Sequence, residues 1–179
     1  MNKAGVAVIQ KTEHTVQFWG RTPRPDLQNV WKTLAEGKVK FFLWLMLQNR
    51  NWTADRLRAR GWPHDDLCCL CSMQIETANH IALHCPYAGE VRNLFHASRP
   101  AMVEVLDAAT SIQDWWCKAR ARPKGSSFQS DIAIAVYIFW HVWKERGRRI
   151  FQKEELPAAG VAALVRSDIE LLFIARRVS

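Results

Sequence analysis

Several absences narrow this chain before any motif is considered. No apolar run reaches the roughly 18 residues that span a bilayer. The most apolar stretch, Ile132 to Trp140, is about half that length and is closed by His141 and Lys144, so it reads as core and no membrane partner is expected. There is no glycine loop to cradle phosphates and no Gly-x-Ser-x-Gly elbow to present a nucleophile. The acids are sparse and scattered, without the converging carboxylates that hold magnesium, and the Asp65-Asp66 pair sits in a loop. The five cysteines are an odd number and no hydrophobic signal segment opens the chain. A disulfide scaffold is therefore not expected, and a reducing compartment, nucleus or cytoplasm, is. These absences predict a non-enzyme with no small-molecule substrate.

What is present argues for a folded core. Hydrophobic residues make up 49% of the 179, with nine tryptophans, which excludes a disordered chain. The net charge of +8 is unevenly spread. Residues 1–60 hold eleven Lys or Arg against four Asp or Glu, residues 61–120 hold four against seven, and residues 121–179 hold ten against six. A phosphate-binding surface is thus expected on the flanks rather than in the middle.

The net-negative middle contains the densest chemistry. From Cys68 to Cys85 the outline is Cys-x2-Cys, eight residues, His, four residues, Cys. A Cys-x2-Cys turn brings two thiolates to one ion, and a helical segment capped by Thr77 would carry His80 and His84 one turn apart. The candidate ligands are Cys68, Cys71, His80 and Cys85. His84 could replace His80 or Cys85, and Cys69 could compete with Cys68, although one intervening residue makes a poorer chelating turn than two. Four protein ligands leave no position for water, so the expected ion is one structural Zn2+. In a catalytic reading Glu76 would be the candidate base. His64 and the Asp65-Asp66 carboxylates could support the ligands, or be exposed turn residues.

The periodicity on either side is helical. Leu27, Val30, Trp31 and Leu34 predict a helix from Asp26, broken by Gly37. A second helix is expected from Lys38 to about Asn49, apolar almost all round and hence buried. Thr53 would cap a short helix, Ala54 to Arg60, stopped by Gly61. After Cys85, Pro86 is expected to end the ligand-bearing helix, and Tyr87, Val91, Leu94 and Phe95 start another, interrupted at Ser98-Arg99-Pro100. Met102 to Leu106 and Ile112 to Ala121 are short helical pieces, and Pro123 to Ser127 is a turn. A long helix, capped by Ser127 or Ser130 and reaching about Phe151, places Ile132, Val136, Phe139, Trp140, Trp143 and Ile150 on one stripe. Its last turns hold Lys144, Arg146, Arg148 and Arg149, which complement the helix dipole. A final helix, about Pro157 to Arg177, carries Val161, Leu164, Val165, Leu171, Leu172 and Ala175, and would close a hairpin with it. Val6 to Ile9 and Val16 to Trp19 read as short strands or extended arms.

One set of motifs carries a family resemblance. The set is Lys38-Val39-Lys40-Phe41-Phe42-Leu43-Trp44-Leu45, Asn51-Trp52-Thr53-Ala54-Asp55-Arg56-Leu57, Arg60-Gly61-Trp62-Pro63-His64, Cys68 to Cys71, Glu76-Thr77-Ala78-Asn79-His80 and Cys85-Pro86. Over about residues 27–96 it resembles the zinc-binding domain found downstream of reverse transcriptase in plant LINE-type (non-LTR) retrotransposons, a domain that many plant proteins carry alone. Asp114-Trp115-Trp116 and Trp140-His141-Val142-Trp143-Lys144-Glu145-Arg146 resemble the tail that often follows it. Arg92 departs from the pattern, which has tryptophan there, and so do the residues after Ile169. The resemblance implies ligand roles for Cys68, Cys71, His80 and Cys85, and it implies RNA or DNA handling.

The expected architecture is mainly α: a lead-in at 1–26, a small Cys-Cys-His-Cys zinc module at 27–97 flanked by helices, and a helical extension at 98–179 packing on it through a C-terminal hairpin. Nucleic acid would meet Lys38, Lys40, Arg50, Arg56, Arg58 and Arg60, with Trp52, Trp62 or Trp19 stacking on unpaired bases. The other expectation is an interaction scaffold, in which zinc only folds the chain and an apolar or basic surface recruits a protein partner or a second copy.

Overall fold

The structure, a computed structural model, describes residues 25–122 and 127–178. The arms at Val6 to Ile9 and Val16 to Trp19, and most of the turn after Arg122, lie outside the described residues. Helices dominate what is described, and the extended pairing among these residues is one isolated antiparallel bridge between Leu67 and Ile75. In chain order the elements are α1 (Pro25–Gln28) tightening into a 3-10 turn (Asn29–Lys32), α2 (Gly37–Leu47) and α3 (Ala54–Arg58). A π turn (His80–His84) and α4 (Pro86–Asn93) follow, then α5 (Pro100–Asp107) and α6 (Ile112–Ala121). The chain ends with α7 (Phe128–Gly147), which runs into a second π turn (Arg148–Gln152), and α8 (Ala158–Val178). No helix among the described residues is long and apolar enough to cross a membrane.

Helix α7 sits at the centre. Every residue from Asp131 to Phe139 is buried, so the stripe read from its sequence is in fact a full circumference. It packs against α8, α2, α4, α5 and the first π turn, and one cluster of buried side chains runs from Val30 to Ile169. Each large apolar side chain removed from water contributes roughly 1.5–3 kcal/mol. Trp115 of α6 meets Phe139 edge-on, with ring centroids 4.8 Å apart. Asp131, buried in the first turn of α7, holds Arg99 (3.4 Å) and Arg122 (3.2 Å), so the starts of α5 and α7 and the end of α6 are tied at one carboxylate.

Three expectations change. The first helix does not run to Gly37: buried Thr33 takes an extended conformation (φ −68°, ψ 146°) and leads the chain out, so Gly37 opens α2. Thr53 stands at the N-cap of α3, yet its hydroxyl makes no cap bond there. The Ala54 N–H instead donates to Glu76 Oε1 at 3.0 Å. On α8 the inward face is Val161, Ala162, Val165 and Ile169, whereas Leu164, Leu171 and Ile174 face outward. The α7–α8 hairpin itself is present, pinned by His141 Nε2 against Asp168 Oδ2 at 2.8 Å. Burial, above all, holds the His141 imidazole below its ordinary range, against the pull of Asp168.

Candidate metal centre

A short loop carries the first two thiols. The Leu67–Ile75 bridge closes it, Cys68 N–H donates to Gln74 O (2.8 Å), and Ser72 N–H donates to Cys68 O (2.7 Å). Ser72 is left-handed at φ 55°, the bend that turns Cys71 back toward Cys68. Thr77 delivers the other pair: its hydroxyl accepts from His80 N–H at 3.0 Å and starts the turn that presents His80. Widening to a π turn through His84 precedes Cys85, whose N–H donates to His80 O at 2.7 Å. Pro86, at the first turn of α4, then fixes the exit.

Cys68, Cys71, His80 and Cys85 converge so that their ligand atoms lie within 4.8 Å of one another. A tetrahedron built with Zn–S of about 2.3 Å and Zn–N of about 2.0 Å has edges of about 3.8 Å between sulfurs and about 3.5 Å from sulfur to nitrogen. Cys68 Sγ to Cys85 Sγ is 4.0 Å and Cys71 Sγ to His80 Nε2 is 3.3 Å, close to both. The donor set therefore fits one metal ion, with His80 offering Nε2. Its Nδ1 faces Gln74 Oε1 at 3.2 Å, an arrangement that fixes ring orientation and tautomer. The Cys68 thiol is pushed up to about 12, first by its contact with Cys85 and then by burial, and the same contact lowers Cys85. A divalent ion held here would displace the thiol protons and favour the thiolates.

The other candidates stand apart. His84 is exposed, with Nε2 3.4 Å from Thr110 O. Cys69 turns its sulfur toward Arg146 O (3.8 Å), and burial pushes its thiol up to about 11. Glu76 is engaged elsewhere. Its carboxylate is 2% exposed, receives Arg146 in two bonds (Nε to Oε2 3.1 Å, Nη2 to Oε1 2.7 Å) and also caps Ala54. His64 is not an exposed turn residue, since only 10% of its side chain is accessible and Nδ1 lies 3.2 Å from Asp66.

Long-range contacts absent from the sequence reading hold the site to the helices. Arg149 donates to the carbonyls of Cys69 (3.4 Å) and Leu70 (3.3 Å), and its guanidinium lies 4.6 Å from the Tyr87 ring centroid. Fully buried Glu145 pairs with Arg148 and Arg149 and accepts from Leu156 N–H. The basic end of α7 thus serves as a clamp on the metal loop more than as a complement to its dipole. Arg92, where the resemblance places tryptophan, is buried and donates to the carbonyls of Ala82 (3.1 Å) and Leu83 (2.8 Å), with Asp107 at its Nε (3.3 Å). The wide π turn leaves those carbonyls in need of donors, and a guanidinium supplies them.

The residues proposed from sequence for nucleic acid are not uniformly available. Lys38 pairs with Glu36 at 2.7 Å, Arg58 is engaged by Asp66, and Lys40 is half-buried. Arg50 is exposed, Arg56 half-buried, and exposed Arg60 lies over the Trp52 ring at 4.2 Å. Cys117 is a free, exposed thiol remote from the cluster in sequence.

Fold and site together define a mainly helical protein with a Cys3His group able to hold one metal ion. Residues 10–91, a little under half of the chain and including all four of these residues, match the family model described as zinc-binding in reverse transcriptase. Searches among curated proteins and among solved structures find no match.

Proposed function

We propose that this chain is a non-catalytic zinc module, derived from a retrotransposon reverse-transcriptase polyprotein, that binds nucleic acid as RNA or single-stranded DNA through its basic flank. The observation that carries this reading is the complete donor set: four protein ligands surround one position, and the nearby carboxylate that could have served as a base is committed to Arg146 and Ala54. An ion so enclosed shapes the chain and leaves recognition to the surface. The excess of cations on residues 1–60 supplies attraction for phosphates with little sequence preference and a steep salt dependence. Electrophoretic shift with single-stranded and duplex probes across a salt series tests this. Binding at low salt that weakens as salt rises is expected, and no binding at low salt contradicts it.

A second reading, a protein-interaction scaffold in which zinc is purely structural, is favoured by the outer face of α8. Leu171 and Ile174 there are 61% and 50% exposed. A strictly monomeric protein that recovers only nucleic acid from a pull-down argues against it. Either role suits the nucleus or the cytoplasm, where thiolates stay reduced.

A further inference from the structure

At the end of α3 the chain builds a feature that the metal centre does not use. Gly61 N–H donates to Arg58 O (2.9 Å) and Trp62 N–H donates to Leu57 O (3.2 Å), which closes the helix in a Schellman motif with Gly61 left-handed at φ 68°. That turn returns Trp62 onto Trp52: the two indoles are stacked with centroids 5.2 Å apart and 10° between planes. The Arg60 guanidinium lies 4.2 Å from the Trp52 centroid. Despite this mutual contact, Trp52 is 45% and Trp62 54% exposed, so the stack covers one face of Trp62 and about half of the residue still meets water.

We infer that the Trp52–Trp62 stack is a preformed platform on which an unpaired base of single-stranded nucleic acid stacks against the outer face of Trp62. Arg60 and Arg56 meet the flanking phosphates. Three observations select this occupant. The rings are parallel and held by a backbone motif, so the platform needs no rearrangement to receive a planar partner. Neither Arg56 nor Arg60 has an acidic partner among the described residues, whereas Arg58 is neutralised by Asp66. Asp55, the acid on α3, accepts from the Thr53 hydroxyl. The surface therefore offers aromatic faces beside unpaired cations, the combination that binds bases and phosphates together. A duplex hides its base faces and cannot use the platform.

This inference rests on the nucleic-acid reading above, and the experiment separates the two. Fluorescence anisotropy of the full zinc-loaded chain would compare labelled oligouridine, oligothymidine and a duplex of equal length. The variants are Trp62→Ala, Trp62→Phe and Arg60→Gln, each first checked for unchanged zinc content and thermal midpoint. Trp62→Ala is expected to weaken both single-stranded probes by about 5- to 150-fold, the range of a lost base–aromatic stack, with duplex binding unchanged. Trp62→Phe should recover most of the loss, which a merely structural loss of the loop would not allow, and Arg60→Gln should lower the salt slope by about one. Wild-type affinity for single strands by Trp62→Ala overturns the platform while the nucleic-acid reading stands. Failure of the wild-type chain to bind any probe at low salt overturns both.

Discussion

Two arginine clusters of similar appearance in the sequence meet opposite fates. Arg56 and Arg58 lie on α3 with Arg60 just beyond it, while Arg146 is in the last turn of α7 and Arg148 and Arg149 open the π turn that continues it. The α7 cluster is turned inward: Arg146 is 7% exposed against Glu76, Arg148 and Arg149 hold buried Glu145, and Arg149 reaches the metal loop. In the α3 cluster only Arg58 has an acid partner among the described residues, and Arg60 covers an exposed indole. The difference lies in what each helix end faces. The end of α7 meets carbonyls and carboxylates whose burial requires donors, while the end of α3 meets water. A run of positive charge is thus cement where it is buried with acids and available for a partner where it is not.

The strongest way to break the comparison is to remove the ion. Cys71→Ser, or a strong chelator, should abolish zinc binding and unfold at least residues 62–96, since metal binding in such sites is worth around 10 kcal/mol or more. Circular dichroism and hydrogen exchange would register it, and the clamp of Arg146 and Arg149 would lose the loop it holds. A smaller but still large effect should come from Arg146→Ala. It strands the buried Glu76 carboxylate and should cost about 3–5 kcal/mol in urea unfolding, because removing one partner leaves an uncompensated charge. Stability unchanged within about 0.5 kcal/mol would show that the inward cluster is not cement.

Acid should loosen the hairpin by a lesser amount. The folded state holds the His141 imidazole down, chiefly by burial, with Lys144 and Arg148 adding to the effect and Asp168 opposing it. The unfolded chain therefore takes up that proton first. Stability present above a pH of about 6.5 should decline as pH falls from there toward the lowered native value. His141→Gln should flatten this part of a urea-midpoint profile, and a midpoint that rises on acidification would contradict the assignment. The smallest stability effect belongs to the outward cluster. Arg56→Gln should change the unfolding free energy by no more than about 0.5 kcal/mol. Its effect should fall on nucleic-acid affinity, reducing the salt slope by about one.

The same contrast explains what the sequence could reveal. Local spacing carries local geometry, so Cys-x2-Cys and the Thr77 cap point to the donors that converge, and α6 runs from Ile112 to Ala121 as its periodicity predicts. Gly61 stops α3 because only a left-handed residue completes that turn. Pairings across long separations leave no such trace. Glu76 and Arg146 are 70 residues apart, and each has an ordinary surface reading until the loop and α7 are brought together. Arg92 looks like a departure from a pattern, although it answers two open carbonyls beneath the π turn. On α8, Leu164 and Val165 are equally apolar, and periodicity alone does not say which of them faces α7.

The account turns on one ion enclosed by Cys68, Cys71, His80 and Cys85. Elemental analysis of purified protein whose folding has been verified by circular dichroism tests this most directly. One zinc per chain in the wild type, unchanged by Cys117→Ser and lost in Cys71→Ser, is the predicted result. A well-folded wild-type chain that contains no metal would contradict it.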